Sequence, residues 1–534
     1  MINSAARRSA VRWFVGVIPA ILALSAIPAT PATAADWPMF GQNLQNTAAN
    51  GTNSGKDVSQ LKPKWTFTTG GDVSARAAVV DGVAYFPDWG GNLWAVNAQT
   101  GTMVWGVQLA TYSLTGSSNG VYHSRTSPAV VDGKVYVGTQ EGAWLLAIDA
   151  ATGALVWKTQ LESPANDFAA QITASPAVSG GLVYTGVASN QELYAAVIPG
   201  FVCCNARGSV VAVNAATGAI AWKTYTVPVG YSGGGVWGSN FVVDAANGRL
   251  FASTGNNYSH PTDPTYLACL AGGGTAASCS SPDNHVDSIL ALNASTGAIL
   301  WAKKFVTWNQ PGVTDGSDDW NVDCPFGGSN GNCPSNAGPD YDFGSAPNLI
   351  TYQSSHGPKT ILGAGQKSGI YFALDPNTGT ELWRTQVGPG SSLGGMEWGS
   401  ATDGKRIYVQ IANFYGLPNA GGGNAGSWAA LDPATGAILW HVPDPNGAIA
   451  LGPLAVADGV VYAPSMAGSA TAPTMLALNA SNGKTLWSFA AGSSVNCGAT
   501  IVNDVVYWGS GYTHLQIPGY TGNNKFFAFS KDGK

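Results

Sequence analysis

The chain has 534 residues, only 10% of them charged, a formal net charge of −6, 70 glycines and 19 tryptophans. No basic run or patch is present to hold nucleic acid, which removes that class of function. The length exceeds what one ordinary hydrophobic core organises, so the fold has to be built from many small units.

In chain order, the first segment is a leader. Arg7, Arg8 and Arg12 precede an apolar run from Trp13 to Ile27, and Ala32-Thr33-Ala34 offers a small-residue cleavage site. This pattern predicts a secretory signal peptide over 1–34 and a periplasmic or secreted mature chain beginning near Ala35. Arg7-Arg8 fits a twin-arginine signal poorly. No later apolar run is long enough to span a bilayer. Export lets disulfides persist, which gives the seven cysteines a meaning. Cys269 with Cys279, and Cys324 with Cys333, each bracket one loop and are the economical pairings, although sequence leaves connectivity open. The adjacent Cys203 and Cys204 are either two separate small hydrophobes or a vicinal disulfide ring. Cys497 is then a buried free thiol.

From residue 35 to 534 one pattern repeats: Ala-x-Asn/Asp-x-x-Thr/Asn-Gly-x-x-x-Trp, ending at Trp105, Trp157, Trp222, Trp301, Trp383, Trp440 and Trp487. Each copy reads as an apolar strand, a tight turn tolerating left-handed backbone, and a second strand closing on an indole. An eighth copy is split. Phe527-Ala-Phe-Ser-Lys-Asp-Gly533 stops short of its tryptophan, and Leu61-Lys-Pro-Lys-Trp65 supplies it from the other end. A closed ring needs this arrangement to remove its exposed edge, whereas an open solenoid would carry polar caps. The expected fold is all-β, an eight-bladed β-propeller over 35–534, closed by pairing its N- and C-terminal strands.

Within a blade, Asp132-Gly133 joins the first strand to the second and Thr152-Gly153 the third to the fourth, so both short turns lie on one face. The other connections lie on the opposite face. The long insertions Leu193–Ala206, Ser259–Asp287 and Thr307–Pro339 all belong to that second face, and they carry six of the seven cysteines. Long loops on one face of a rigid scaffold predict a pocket wall there.

Eight blades with this tryptophan motif resemble the quinoprotein alcohol dehydrogenases, a family that holds pyrroloquinoline quinone (PQQ) and a divalent metal on the propeller axis. Gly395-Met-Glu-Trp-Gly-Ser-Ala-Thr-Asp-Gly404 and Cys203-Cys204-Asn-Ala-Arg-Gly208 resemble its polyvinyl-alcohol dehydrogenase branch in particular. Residue by residue, the resemblance implies the following roles. Trp237, in Gly233-Gly-Gly-Val-Trp-Gly, is similar to the indole that forms the floor beneath the quinone. Asn256, in Ser253-Thr-Gly-Asn, and Glu192, in Ser189-Asn-Gln-Glu, resemble the metal ligands, with Ser189 on the cofactor. Such oxygen donors suit Ca²⁺. Asp342, in Asp340-Tyr-Asp-Phe-Gly, resembles the family's catalytic base and a further metal ligand. Trp320-Asn321-Val-Asp323 is a rival alignment that holds Asn where Asp is needed. Asp340 resembles the extra carboxylate of lanthanide-dependent relatives, or is a plain loop residue. Lys367, in Gln366-Lys-Ser-Gly, is similar to the cation over the quinone oxygens. Arg125 and Thr173, and more weakly Arg76, Trp398 and Asn413, are further cofactor contacts. A vicinal Cys203-Cys204 ring would resemble the one that lies against the quinone in relatives, although here it sits after Glu192, elsewhere in the chain than in the methanol-oxidising branch.

The sequence has no Cys-x-x-Cys-His, so no haem c attaches to it. The implied activity is oxidation of an alcohol, small or polymeric, with electrons leaving to an external acceptor such as a soluble cytochrome c. The alternative is a non-catalytic propeller that binds a protein or polymer through its loop face. Individually, an Asn after Gly is commonly a turn residue and a Glu a solvated loop charge. The axial set Glu192, Trp237, Asn256, Asp342 and Lys367 favours the enzyme, because a scaffold has no reason to hold these residues together.

Overall fold

The computed structural model describes Met1 and residues 36–51, 58–305, 339–514, 517 and 519–534. The expected leader, the Cys324/Cys333 pair and the rival Trp320–Asp323 alignment lie outside the described residues. Eight sheets of four main strands form, each antiparallel. Blade 1 begins at Ala78, blade 2 at Ala129, blade 3 at Ala177, blade 4 at Val242, blade 5 at Asn348, blade 6 at Ala401, blade 7 at Ala455 and blade 8 at Thr500. The second and third strands are buried, as in Val460–Pro464, while an outer strand such as Glu381–Gln386 alternates between half-buried and exposed.

Closure occurs where the split repeat predicts it. Leu61–Thr68 is the outer strand of blade 8 and pairs with Lys525–Lys531, in register from Leu61 opposite Lys531 to Thr68 opposite Lys525. The sheet therefore has no free seam, and two ends of the chain share one hydrogen-bond ladder.

The repeat itself is a blade-to-blade joint. Each motif tryptophan donates its indole N–H to a carbonyl of the next blade: Trp105 to Ala150 at 2.9 Å, Trp222 to Ala294 at 3.1 Å, and Trp487 to Leu61 at 2.9 Å across the closure. The motif glycine lies flat against the preceding blade's indole. A Cβ on Gly297 would stand 2.4 Å from the Trp222 ring, and the residue also has φ +74°. Both demands exclude any other residue, which is why Thr-Gly and Trp recur together.

A strap that the repeat pattern does not foreshadow closes the axis from below. Residues 37–48 run across the innermost strands, bonding Val79 of blade 1, Val130 of blade 2, Val243 of blade 4, Leu349 of blade 5, Thr402 of blade 6 and Val456 of blade 7. Ala49–Asn50 then pairs in parallel with blade 7, and the Asn50 amide reaches Ile501 O in blade 8 at 2.8 Å. These contacts fall beside the short first-to-second-strand turns, so the strap occupies the face opposite the long loops.

Candidate active site

On the long-loop face the approaches to the inner strands converge on a cavity of about 170 Å³. Arg125 and Thr173 precede the first strands of blades 2 and 3, Trp237 and Trp398 those of blades 4 and 6, and Asp340 and Asp342 that of blade 5. Ser189 ends the second strand of blade 3, and Lys367 follows that of blade 5. All of these line the cavity. Glu192 joins them from the first turn of a short helix, Gln191–Val197, where the sequence suggests only loop.

The centre of the site is an ionic cluster. Lys367 Nζ lies 2.8 Å from Asp342 Oδ1 and 3.2 Å from Asp340 Oδ2, with all three side chains buried. The Trp237 indole N–H donates to Asp342 Oδ2 at 2.7 Å, so each carboxylate oxygen of Asp342 has its own partner. Burial works to discharge Lys367, but Asp340, Asp342, Glu397 and Glu192 outweigh it and hold the ammonium well above its ordinary range. Gly255 and Gly344 make this packing possible. A Cβ on the first would meet Asp342 Oδ2 at 2.9 Å, and one on the second the Trp237 ring at 2.5 Å.

Around this centre the walls are aromatic and cationic. Trp237 and Trp398 meet edge to face, 5.6 Å apart at 78°. The Arg125 guanidinium stacks 3.9 Å above Trp398, and Thr173 Oγ1 donates to Trp237 O at 3.1 Å. Asn256 Nδ2 donates to Glu192 Oε1 at 2.8 Å, which brings blades 3 and 4 together at the candidate metal end. Ser189 Oγ donates to Asp167 at 3.1 Å.

Five expected residues do not line this cavity: Asn256, which reaches it through Glu192, and four others. Asn413 spends its amide inside its own loop, donating to the carbonyls of Leu417, Asn424 and Ala425. Cys203 and Cys204 are bonded to each other, and the ring stands behind the wall. Cys203 Sγ lies 3.5 Å from Tyr258 O, and Ser259 Oγ donates to Cys204 O at 3.1 Å, so the pair braces the segment that presents Tyr258. Arg76 lines a separate, smaller cavity beneath. Cys269 is bonded to Cys279 within the blade 4 loop, and Cys497 is a free, buried thiol.

Two residues of the site carried no role in the sequence reading. Glu397 is buried beside Trp398, and burial raises its carboxyl to about 7, with Lys367 and Arg125 opposing and Asp342 adding to the rise. It lies inside the quoted string Gly395–Gly404, so the signal was present but unassigned. Tyr258, two residues beyond Asn256, lines the cavity, and burial followed by the charges of Glu192, Asp167 and Asp342 holds its phenol well above 10.

Comparison with known proteins agrees with this geometry. The family model PQQ_2, described as outer membrane protein assembly factor BamB, matches residues 50–206 and 367–517. A polyvinylalcohol dehydrogenase of Sphingopyxis sp. (strain 113P3) is 30% identical over 90% of this chain and 73% of its own length. One from Pseudomonas sp. is 28% identical over 95% and 79%. Among solved structures, the quinohemoprotein alcohol dehydrogenase ADHIIG of Pseudomonas putida HK5 superposes with TM-score 0.69 at 19% identity, over 94% of this chain and 81% of that one. A europium-containing methanol dehydrogenase gives 0.68 at 17%, over 93% and 98%. At such identities the structures speak for the fold, and the sequence relatives for the family. The chain belongs to the PQQ-dependent (quinoprotein) alcohol dehydrogenases, alongside the polyvinylalcohol dehydrogenases.

Proposed function

We propose that this chain oxidises uncharged alcohols, secondary or polymeric ones such as polyvinyl alcohol among them, with bound PQQ and a metal ion. The observation that carries this reading is the Asp342 carboxylate held between the Lys367 ammonium and the Trp237 indole inside a cavity walled by two tryptophans.

The residues fit the cofactor's chemistry. PQQ is a planar tricarboxylate with an ortho-quinone, which calls for flat apolar walls, cations and hydroxyl donors. Trp237 and Trp398 supply the walls, Arg125 a donor for carboxylates, with the Thr173 and Ser189 hydroxyls beside it, and Lys367 the cation for the quinone oxygens. The charge balance fits a metal. Among the described residues that line the cavity, the carboxylates Asp340, Asp342, Glu192 and Glu397 outnumber the cations Lys367 and Arg125, a setting that suits a metal ion. Among the described residues no three acidic, histidine or cysteine side chains stand close enough to cage an ion by themselves. The shell proposed for the ion combines the Asn256 amide oxygen with Glu192 and Asp342, a hard-oxygen set suited to Ca²⁺. With Asp340 added, a lanthanide is the competing occupant.

Bound PQQ supplies a two-electron acceptor for hydride, which no side chain can. The protein's part is to hold and move charge. Asp342 takes the substrate hydroxyl proton as general base, with the Lys367 ammonium 2.8 Å from its Oδ1. Leu193 and Leu393 flank the cavity and suit a substrate without charge. Electrons then leave to an external acceptor, for which a soluble cytochrome c is the expected class. No described helix is long and apolar enough to cross a membrane, and an exported, periplasmic or secreted enzyme is the setting we propose.

The test is reconstitution of the purified chain with PQQ plus Ca²⁺, or PQQ plus a lanthanide, with dye reduction followed on polyvinyl alcohol and small secondary alcohols. PQQ-dependent turnover that vanishes in Asp342→Asn supports the reading. Absence of both tryptophan quenching and turnover with either metal returns the chain to the binding-scaffold alternative.

A further inference from the structure

Beneath the Trp398 and Arg125 side of the active-site cavity lies a second space on the axis, about 20 Å³, room for one particle slightly larger than a water. It is bounded by residues just ahead of the innermost strands, including Ser74 and Arg76 of blade 1, Ser175 of blade 3, Ser239 of blade 4 and Asn496 of blade 8, with Phe40 of the strap below. No acidic side chain lines it, and two guanidiniums, Arg76 and Arg125, do.

Arg76 is the unusual member. It is 1% exposed, and it donates from Nη1 to Phe40 O and from Nη2 to Leu454 O, both at 2.7 Å. Its Nε meets no acceptor. Among the described residues no carboxylate acts on it. Burial depresses it to about 10, and the only ionisable group opposing that is Cys497, whose own thiol burial pushes up to about 12 and so keeps neutral. A positive charge thus sits in the interior with carbonyl dipoles and the rings of Phe40 and Trp37, 4.9 and 5.4 Å away, for company, but with no counter-charge among the described residues.

Several of the remaining wall residues carry hydroxyls. Ser74 Oγ accepts from the Trp89 indole at 2.8 Å, Ser175 Oγ from Ser127 N at 3.0 Å, and Ser239 Oγ from Ala346 N at 3.3 Å. With lone pairs so engaged, each hydroxyl has a proton to offer. The Asn496 amide can add its NH₂ edge, since its orientation follows from whichever neighbour it faces. We propose that this cavity binds one halide-sized monovalent anion, chloride in ordinary salt solution, as the counter-ion of Arg76. A water is the competing occupant. It would satisfy Arg76 Nε and the otherwise unpartnered Asn496 Oδ1, but it would leave the charge uncompensated. The proposal is independent of which alcohol the enzyme oxidises.

Crystals of the full chain grown in sodium bromide decide the matter. An anomalous bromine peak in the cavity beside Arg76 is the expected result, and water density without such a peak overturns the proposal. In solution, melting temperature should rise saturably with chloride when gluconate keeps ionic strength constant. Identical melting in chloride and gluconate overturns the site for the dissolved protein. Arg76→Gln removes the charge but endangers folding, so Ser239→Ala is the second variant. Loss of one donor to an anion should weaken the halide midpoint by up to about tenfold while leaving the fold intact.

Discussion

Asp342 and Lys367 are tied twice: the Lys367 backbone N–H donates to Asp342 O at 3.0 Å, and Nζ meets Oδ1 at 2.8 Å. The backbone link fixes the spacing of two segments from one blade, and the side-chain link pairs a buried ammonium with the proposed base. The two substitutions should therefore differ in kind. Asp342→Asn keeps the shape, so PQQ should still quench tryptophan fluorescence while kcat falls by ~10²–10⁴. Lys367→Gln leaves buried carboxylates without their cation and should cost ~3 kcal/mol or more in the cofactor-free protein, measured by urea unfolding. If Lys367→Gln is as stable as the parent, the ammonium is not what balances Asp340 and Asp342.

The hydrogen bond from Asn256 to Glu192 joins the two proposed metal ligands. Calcium at about a hundred times its Kd, with PQQ, should stabilise the parent by ~2.7 kcal/mol, reversibly on chelation. Glu192→Gln and Asn256→Ala should each require ~10–100-fold more calcium for the same melting shift. An unchanged calcium midpoint in both variants would sink the ligand assignment.

Glu397 gives a pH signature in cofactor- and metal-free protein. Its carboxyl ionises near 4.5 when unfolded and at about 7 when folded. A raised carboxyl favours folding fully below 4.5 and loses that contribution as pH rises through 7. Glu397→Gln escapes the loss. Its stability relative to the parent should climb between those pH values and level off at a gain on the order of 3 kcal/mol. A difference independent of pH would mean that Glu397 ionises as an ordinary surface acid does.

Two glycines separate the cost of backbone conformation from that of the tryptophan joint. Gly459 has φ +82° with nothing within 4 Å of a built Cβ, whereas Gly297 has φ +74° and the Trp222 ring at 2.4 Å. Gly459→Ala should cost ~1–2 kcal/mol for the left-handed backbone alone. Gly297→Ala should cost ~1–3 kcal/mol beyond that, because the indole has to move and its bond to Ala294 with it. Equal losses by thermal unfolding would show that the indole contact is incidental.

The ring was legible because its joint is local: eleven residues specify turn, glycine and tryptophan, and the split eighth copy specifies closure. The site was legible where short strings fix both identity and place, as at Trp237, Asp342 and Lys367. Elsewhere sequence carried less. Asn413 has the right residue type near an inner strand, yet loop carbonyls capture its amide, and no string reveals which acceptors a folded loop will offer. Glu397 was hidden beside a more conspicuous tryptophan. The strap Trp37–Ala48 has no strand period because it gives about one residue to each blade it visits, so its hydrogen bonds are set by the ring and not by its own pattern.

That strap decides how the molecule comes apart. In a stacked array each unit touches only its neighbours, and units can melt one at a time. Here a single run of backbone is bonded to six blades, and Leu61–Thr68 shares a ladder with the last strand, Lys525–Lys531. Lifting any of those blades breaks a bond belonging to the whole circle, so cooperativity extends over nearly five hundred residues from joints that are each only eleven long. A nicked or shortened ring should accordingly leave no stable fragment of a few blades, and the enzyme should lose its structure in one transition.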